Sequence, residues 1–544
     1  MSAVPQGANG NGAVPAPVEP EFEVAIIGAG ISGLGMGAAL RHAGIEDFVI
    51  LERAGDIGGT WRDNTYPGIA VDIPTFAYQF SYAMKPDWSR FFARGDEVKG
   101  YVDEFAAEHG VLDKIRFHSE ALSRTWDEGN HLWRLETPSG EVTARFVVSA
   151  IGAFVDPKPV EIEGLDEFEG KVIHSARWDH DYDLAGKRVA IIGTGASAVQ
   201  IVPRIAREVG RLDVYQRTPI WISPKFDPRI PAWLQGVFRR VPLTQRFAYG
   251  ACSAIVEFLL NFMVVNYRRF PFGVNGAEAN CRRWVRRQVH DPELQRKLTP
   301  DYGLGCKRPS ISNSYLSTFN RDNVELVTDP IERFTAGGIR TENGGEHEID
   351  AVVLATGFRL ASDPENYRRT PVRGRDGFDL ATHYERNRLK SYEGVSMPGL
   401  PNHFMIFGPH GFIGASWHVL VQTSSRHIVR VLEECRRRSA TAVEVTPEAT
   451  ERFFAMVDKR LAGSLWFSGN CATANSYYFD QHGDTPYLRP TSSWQARRAA
   501  ARFPLDDYRY ARLDEPALNA APTKSARFDS QSQIRKTITP ARLP

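Results

Sequence analysis

The chain has 544 residues, 42% of them hydrophobic and 24% charged. That is the balance of an ordinary globular protein and excludes a mainly disordered chain, a collagen-like chain and a polytopic membrane protein. The 66 Lys and Arg against 65 Asp and Glu leave a formal charge of +1, so no global attraction draws the chain to nucleic acid or acidic lipid, while a local basic pocket for one phosphate stays open.

Residues 1–20 are rich in Gly, Ala and Pro and lack a basic stretch followed by an apolar core; they read as a flexible leader rather than a secretory signal, and a cytoplasmic protein is expected. EVAIIGAGISG runs from an apolar strand into a Gly-rich turn, LGMGAALRHAG has helical spacing and ends at Gly44, and FVILERAG is a second strand. This β-α-β unit opens a doubly wound sheet. Its turn, Gly28-Ala29-Gly30-Ile31-Ser32-Gly33, fits G-x-G-x-x-G. In that pattern the first Gly makes the tight turn, the second admits a pyrophosphate and the third packs helix on strand, while the helix N-terminus supplies N–H groups to phosphate. Glu52, at the end of the next strand, is placed to accept hydrogen bonds from ribose hydroxyls.

A second unit, KRVAIIGTGASAVQIVPRIAREVGRLDVYQRTP, repeats the pattern with Gly193-Thr194-Gly195-Ala196-Ser197-Ala198. Its second strand ends in Arg217 and Thr218 rather than a carboxylate. An Arg there suits the 2′-phosphate of NADP, which a carboxylate would repel; the competing reading is an exposed surface Arg. FAD is therefore assigned to the first site and NADPH to the second, an order that rests partly on the resemblance below. The fold class is α/β, with two Rossmann-like dinucleotide-binding domains.

Residues 231–298 are dominated by helical patterns and read as an insertion in the NADP domain. Within them, 247–267 is long and apolar, interrupted by Glu257 and Asn261. It is expected to be a buried helix or one lining a greasy channel, with membrane-surface contact as the lesser alternative. The apolar runs at 146–154 and 351–358 are read as strands of the first domain, followed by a helix near 424–438 and a loop-rich end. The expected division is a leader at 1–20, an FAD domain at 21–155 and 345–511, an NADP domain at 156–230 and 299–344, the insertion at 231–298, and a largely disordered tail at 512–544. The five cysteines (Cys252, Cys281, Cys306, Cys435 and Cys471) are odd in number, widely spaced and without a C-x-x-C pair, so neither a disulfide scaffold nor a zinc or dithiol centre is expected, and no metal site.

Between the two units, Phe168-Glu169-Gly170-Lys171-Val172-Ile173-His174-Ser175-Ala176-Arg177-Trp178-Asp179 fits F-x-G-x-x-x-H-x-x-x-W-[PD]. Here the chain resembles the type I Baeyer–Villiger monooxygenases, whose fingerprint this is, and the likeness covers about residues 23–504. The run from Gly59, Thr60 and Trp61 to Asp72 fits a second family pattern, G-x-W-x(4)-[FY]-P-G-x(3)-D. Tyr78 is added to the flavin-side residues. Asp72 lies among apolar residues and needs a cationic partner if covered. The resemblance supplies it: Gly305-Cys306-Lys307-Arg308-Pro309 is similar to the family segment in which a Lys binds NADP and the next Arg is catalytic. Ala355-Thr356-Gly357 also resembles a family motif near the flavin. His174 is expected in the linker, ordering domain movement.

The resemblance implies that NADPH reduces FAD and that dioxygen then gives a 4a-peroxyflavin, stabilised by Arg308 with Asp72 orienting it. That species attacks a ketone, and a migrating carbon yields an ester or lactone. N- or S-oxygenation of amines or sulfides is the nearest alternative. A flavin reductase without oxygenation lacks its usual redox-active Cys pair here and leaves Asp72 and Arg308 unexplained. The runs at 408–412 and 475–479 are read as shaping the substrate pocket.

Overall fold

The computed structural model describes residues 18–414 and 416–513; most of the leader and of the tail lies outside the described residues. Two sheets organise the chain. In the first, Phe22–Ile27 runs parallel to Phe48–Leu51 on one side and to Gly140–Ser149 on the other. Ile115–Arg116 extends it beyond Phe48–Leu51. Leu132–Thr137 and Ser123–Asp127 add an antiparallel meander, with Val372–Arg373 at the edge. His403–Met405 also pairs with Gly140–Ser149. The last four residues of Phe22–Ile27 are all buried, as a parallel strand covered on both faces requires. Helix Ile31–His42 covers one face and is itself covered by helix Trp417–Arg438. That long helix begins seven residues before the expected start, capped by Ser416, whose hydroxyl accepts from His418 N.

The second sheet has five parallel strands in the order Val324–Val327, Arg211–Tyr215, Arg188–Ile192, Ala351–Leu354, Lys171–His174. The strand Ala351–Leu354, expected in the first domain, therefore belongs to the second sheet. Its four residues are uniformly buried, and an apolar run of that kind fits the interior of either parallel sheet; nothing local chooses between them. The chain leaves the first sheet through Phe154–Pro157 and returns through Phe358–Leu360, and these two strands pair antiparallel.

The helical insertion comprises Ala232–Arg240, Pro242–Glu257, a π turn Phe258–Phe262, Met263–Val265, Pro271–Gln288 and Pro292–Lys297. The reading of 247–267 as a buried or channel-lining helix is corrected. Cys252, Val256, Asn261 and Val264 are buried, whereas Phe247 is 79% exposed and Ile255, Phe258 and Leu259 are about half exposed. Hydropathy along the chain does not say which face finds a partner. Among the described residues no helix is long and apolar enough to cross a membrane.

A second correction concerns the cysteines. Cys306 and Cys471, 165 positions apart, form a disulfide with a Cα–Cα distance of 5.2 Å; the fold makes the proximity, and spacing along the sequence does not report it. Cys252, Cys281 and Cys435 are buried free thiols.

Candidate active site

Both glycine-rich turns open into one cavity of about 1950 Å³, well above the roughly 300–1,000 Å³ of a single small-molecule pocket. Its wall carries every cofactor-binding residue expected from the sequence except Gly33. Gly33 is indispensable for another reason: a Cβ there would sit 1.8 Å from the Gly28 carbonyl oxygen, so only glycine lets the helix start against the turn. In the second turn Gly193 has φ +110°, and a Cβ would meet the Ala355 carbonyl oxygen at 2.5 Å. Helices Ile31–His42 and Ala196–Ile205 start after Gly30 and Gly195, neither with a side-chain cap. Their first N–H groups are left for an anion such as a pyrophosphate.

On the flavin side, Glu52 is buried and already engaged. Its carboxylate accepts from Ala29 N at 2.8 Å and Ala54 N at 2.9 Å and pairs with Arg62 at 3.0 Å. It braces the turn as well as facing the cavity. Ser32 Oγ accepts from Trp417 Nε1 at 2.9 Å, and Trp61 Nε1 donates to the Tyr78 hydroxyl at 3.0 Å. Gly59 and Thr60 complete this wall. Thr356, also on the wall, has a buried hydroxyl with no partner among the described residues, a cost that a bound group with a hydrogen-bonding edge relieves.

On the nucleotide side, Thr194 Oγ1 donates to the Thr218 carbonyl at 2.8 Å, beside Ala196 and Ser197. Lys307 comes close enough to Arg217 to feel its charge: burial, and then Arg217, hold the Lys307 ammonium below its ordinary value. Neither cation enters an ion pair among the described residues. Two uncompensated cations in one recess suit a doubly charged phosphate. Arg217 is exposed, as the competing surface reading expects, but it shares the cavity wall with the half-buried Lys307.

Deeper in the cavity, Arg308 donates Nε–H and one Nη2–H to the two oxygens of Asp72, both at 2.7 Å. Burial works to raise the Asp72 carboxyl, but the charge and hydrogen bonds of Arg308 prevail and hold it below the usual carboxylate value. Asp72 in turn raises Arg308 against the effect of burial. Lys225 adds a more distant positive charge and is itself held down by burial.

Of the fingerprint residues only Trp178 reaches the cavity wall. Phe168 packs on Phe334 with ring centroids 5.5 Å apart, and a Cβ on Gly170 would meet the Phe168 ring at 2.2 Å. Asp179 pairs with Lys171. The linker expected for His174 is corrected: it ends the edge strand Lys171–His174. Its Nδ1 accepts from Ala176 N at 3.0 Å, and burial followed by the charge of Arg177 lowers its pKa. The ring is therefore neutral with its proton on Nε2, which is buried without a partner among the described residues.

The structure also gives the 475–479 run, expected only to shape the substrate pocket, a place beside Thr218. Asn475 Nδ2 donates to Thr218 Oγ1 at 3.2 Å, and Tyr477 lines the cavity with its ring 4.9 Å from that of Tyr478. The aromatic run was visible, but its placement against the nucleotide side was not. Tyr66 donates from its hydroxyl to Gln200 Oε1 at 3.0 Å, tying the Asp72 loop to the second dinucleotide helix.

Proteins of known activity resemble the chain over most of its length. Residues 25–241 match the pyridine nucleotide-disulphide oxidoreductase family. A Baeyer–Villiger monooxygenase of Streptomyces coelicolor is 37% identical over 94% of this chain and 96% of its own length; one of Pseudomonas aeruginosa is 38% identical over 89% and 91%. Among solved structures, OTEMO in complex with FAD and NADP aligns at TM-score 0.79 and 26% identity, covering 91% of this chain and all of that one. Cyclohexanone monooxygenase from Rhodococcus bound to NADP+ aligns at 0.80 and 26%, with the same coverage.

Proposed function

The chain belongs to the Baeyer–Villiger monooxygenases and is an FAD- and NADPH-dependent enzyme with two dinucleotide-binding domains; from that premise we propose that it inserts one atom of dioxygen beside the carbonyl of a ketone, with Arg308 holding the anionic oxygen of the reaction. The observation that carries this reading is the two-point Arg308–Asp72 pair inside the cavity that both glycine turns line.

The residues fit the cofactors. The glycine turns, the uncapped helix starts and the orphaned Thr356 hydroxyl suit FAD on the first side. Arg217, Lys307 and Thr218 suit the 2′-phosphate of NADPH on the second, and Asn475 steadies Thr218. When bound, reduced FAD with dioxygen supplies the oxidant. Arg308 has five N–H groups, of which Asp72 takes two, leaving three for anionic oxygen. Because Asp72 offsets part of the charge, Arg308 holds an anion by directed N–H bonds rather than by bare field. A fixed donor of this kind costs no reorganisation when charge develops on the ketone oxygen. Trp61, Tyr78 and Trp178 add apolar surface that limits water.

N- or S-oxygenation through the same cofactors is the alternative. Its oxidant is a protonated electrophile, for which a cation fixed by a carboxylate has less use. The deciding assay gives the holoenzyme NADPH and a panel of ketones and looks for ester or lactone by mass spectrometry. Release of hydrogen peroxide alone with every ketone, together with oxygenation of sulfides, overturns the ketone reading.

A further inference from the structure

Ten of the twenty exposed large hydrophobic side chains among the described residues fall between Phe226 and Phe272. Along Pro242–Glu257 and the π turn Phe258–Phe262, the exposed positions after the leading Pro242 are, among the described side chains, Leu243, Arg246, Phe247, Gly250, Ala251, Ala254, Ile255, Phe258, Leu259 and Phe262. They follow one another by three residues and one in turn, so that each recurs at three or four, which is one face of a helix. At 1.5 Å per residue this face is about 29 Å long. Arg246 is its one charge.

The buried side is the more polar one. Gln245 donates to the Lys85 carbonyl at 2.6 Å, and Asn261 donates to the Ile413 and Thr491 carbonyls at 3.1 and 2.7 Å. Glu257 is turned back to accept from Ser493 N at 2.8 Å. Cys252 and Val256 also pack inward, so the departure lies on the outer face, which lacks the polar residues a surface helix usually turns to water. The apolar surface is also continuous: Phe258 stacks on Phe262 at 5.5 Å, Phe262 on Phe270 at 5.8 Å, and Phe270 meets Phe272 at 6.1 Å.

Cations accompany this surface. Arg240, Arg246, Arg268 and Arg269 are exposed, and none enters an ion pair among the described residues, although Arg239 beside them pairs with Asp87. A second copy seated on this face across a twofold axis would set Arg246 and its neighbours near like charges. An anionic lipid surface instead offers a hydrocarbon boundary for the phenyl rings and negative headgroups for the guanidiniums. We propose that this face seats the protein on an anionic lipid surface, with the Pro242–Glu257 helix lying in the plane of the interface. The proposal does not depend on which substrate the enzyme oxidises.

The test uses the full-length flavin-loaded protein and two sets of vesicles, phosphatidylcholine alone and phosphatidylcholine mixed with phosphatidylserine. Wild type is expected to sediment with the mixed vesicles at low salt and to remain in solution with the neutral ones. The double variants Arg246→Glu/Arg269→Glu and Phe247→Ser/Phe258→Ser should each lower the bound fraction by roughly tenfold or more, with the flavin spectrum and the rate of flavin reduction by NADPH unchanged. No sedimentation with either vesicle overturns the proposal, as does equal sedimentation with both. Light scattering provides the remaining outcome: a dimer in solution that Phe247→Ser/Phe258→Ser splits assigns the face to a second copy and likewise overturns it.

Discussion

Arg308 and Asp72, 236 positions apart in the chain, are joined by two hydrogen bonds of 2.7 Å. The pair fixes the plane of the guanidinium, and with it the directions of the three N–H groups that Asp72 does not use. Arg308→Lys keeps the charge and loses the fork. It is expected to retain flavin reduction by NADPH, followed by bleaching of the flavin spectrum, and to lose ester formation by about 10²–10³-fold, the cost of one misplaced oxyanion donor. Full ester formation by this variant would contradict the role given to Arg308.

The same pair sets an acid limit. The folded-state value of Asp72 is lowered by Arg308 against the effect of burial. Its contribution to stability is therefore complete above the ordinary carboxylate value of about 4 and is lost as pH falls through the lowered folded value. Melting temperatures followed from neutral pH into acid should fall less steeply for Asp72→Asn than for wild type. Parallel curves would show that the pair is not a determinant of acid stability.

With the 2′-phosphate seated as proposed, the charges of Lys307 and Arg217 weaken the empty protein and strengthen the loaded one. Lys307 is held below its ordinary value by burial and by Arg217, so its positive charge costs folding free energy at neutral pH, and the cost fades as pH rises through the lowered folded value and is gone at the ordinary lysine value. Lys307→Gln is expected to melt above wild type without NADPH and to lose most of the stabilisation that NADPH gives. Arg217→Ala should raise the KM for NADPH roughly tenfold to a hundredfold and narrow the preference over NADH. An unchanged preference would remove the 2′-phosphate from this corner of the cavity.

The Cys306–Cys471 bridge joins the segment carrying Lys307 and Arg308 to the loop carrying Asn475 and Tyr477. Closing 165 residues is worth roughly 2–5 kcal/mol in a chain-entropy account. Cys471→Ser should lower the melting temperature and raise the KM for NADPH, since Asn475 then holds Thr218 less firmly. Treating wild type with a dithiol should reproduce both effects. Identical melts and kinetics for reduced and oxidised protein would show the bridge to be dispensable.

At Gly170 an added Cβ meets the Phe168 ring at 2.2 Å and the Asp350 carbonyl oxygen at 2.7 Å. A ring tip can turn aside, whereas the Asp350 backbone, which leads into the interior strand Ala351–Leu354, cannot. Gly170→Ala is expected to destabilise by about 1–3 kcal/mol in denaturant titration while leaving the flavin spectrum of the folded fraction intact. An unshifted midpoint would show that the edge strand adapts.

What the sequence made legible follows from how far each signal reaches. The glycine turns are local: Gly28 to Gly33 and Gly193 to Ser197 each determine the geometry of one turn and one helix start, and both were readable. Asp72 could be matched with Arg308 because a carboxylate among apolar residues demands a cation and the family pattern named one. The strand Ala351–Leu354 was put in the wrong sheet because four buried apolar residues carry no address. The Cys306–Cys471 bridge and the reach of Asn475 to Thr218 join positions 165 and 257 apart, and no residue at either end announces the other. The 247–267 stretch differs for the converse reason: its composition is apolar, yet Asn261 finds hydrogen-bond partners inside while Phe247, Ile255 and Phe258 stay exposed.

The antiparallel pairing of Phe154–Pro157 with Phe358–Leu360 bears on how the two halves of the enzyme can move. Bonds from Lys158 N to the Gly357 carbonyl and from Ala361 N to the Ala153 carbonyl, both 3.0 Å, lengthen the ladder at either end. A two-stranded ribbon bends readily across its thin dimension, but sliding one strand along the other would break the whole ladder at once. Used as a hinge, it permits rocking about one axis and forbids shear. A nucleotide carried by the second half would then sweep a single arc over the flavin side, and its positions for reduction and for shelter would lie on that arc.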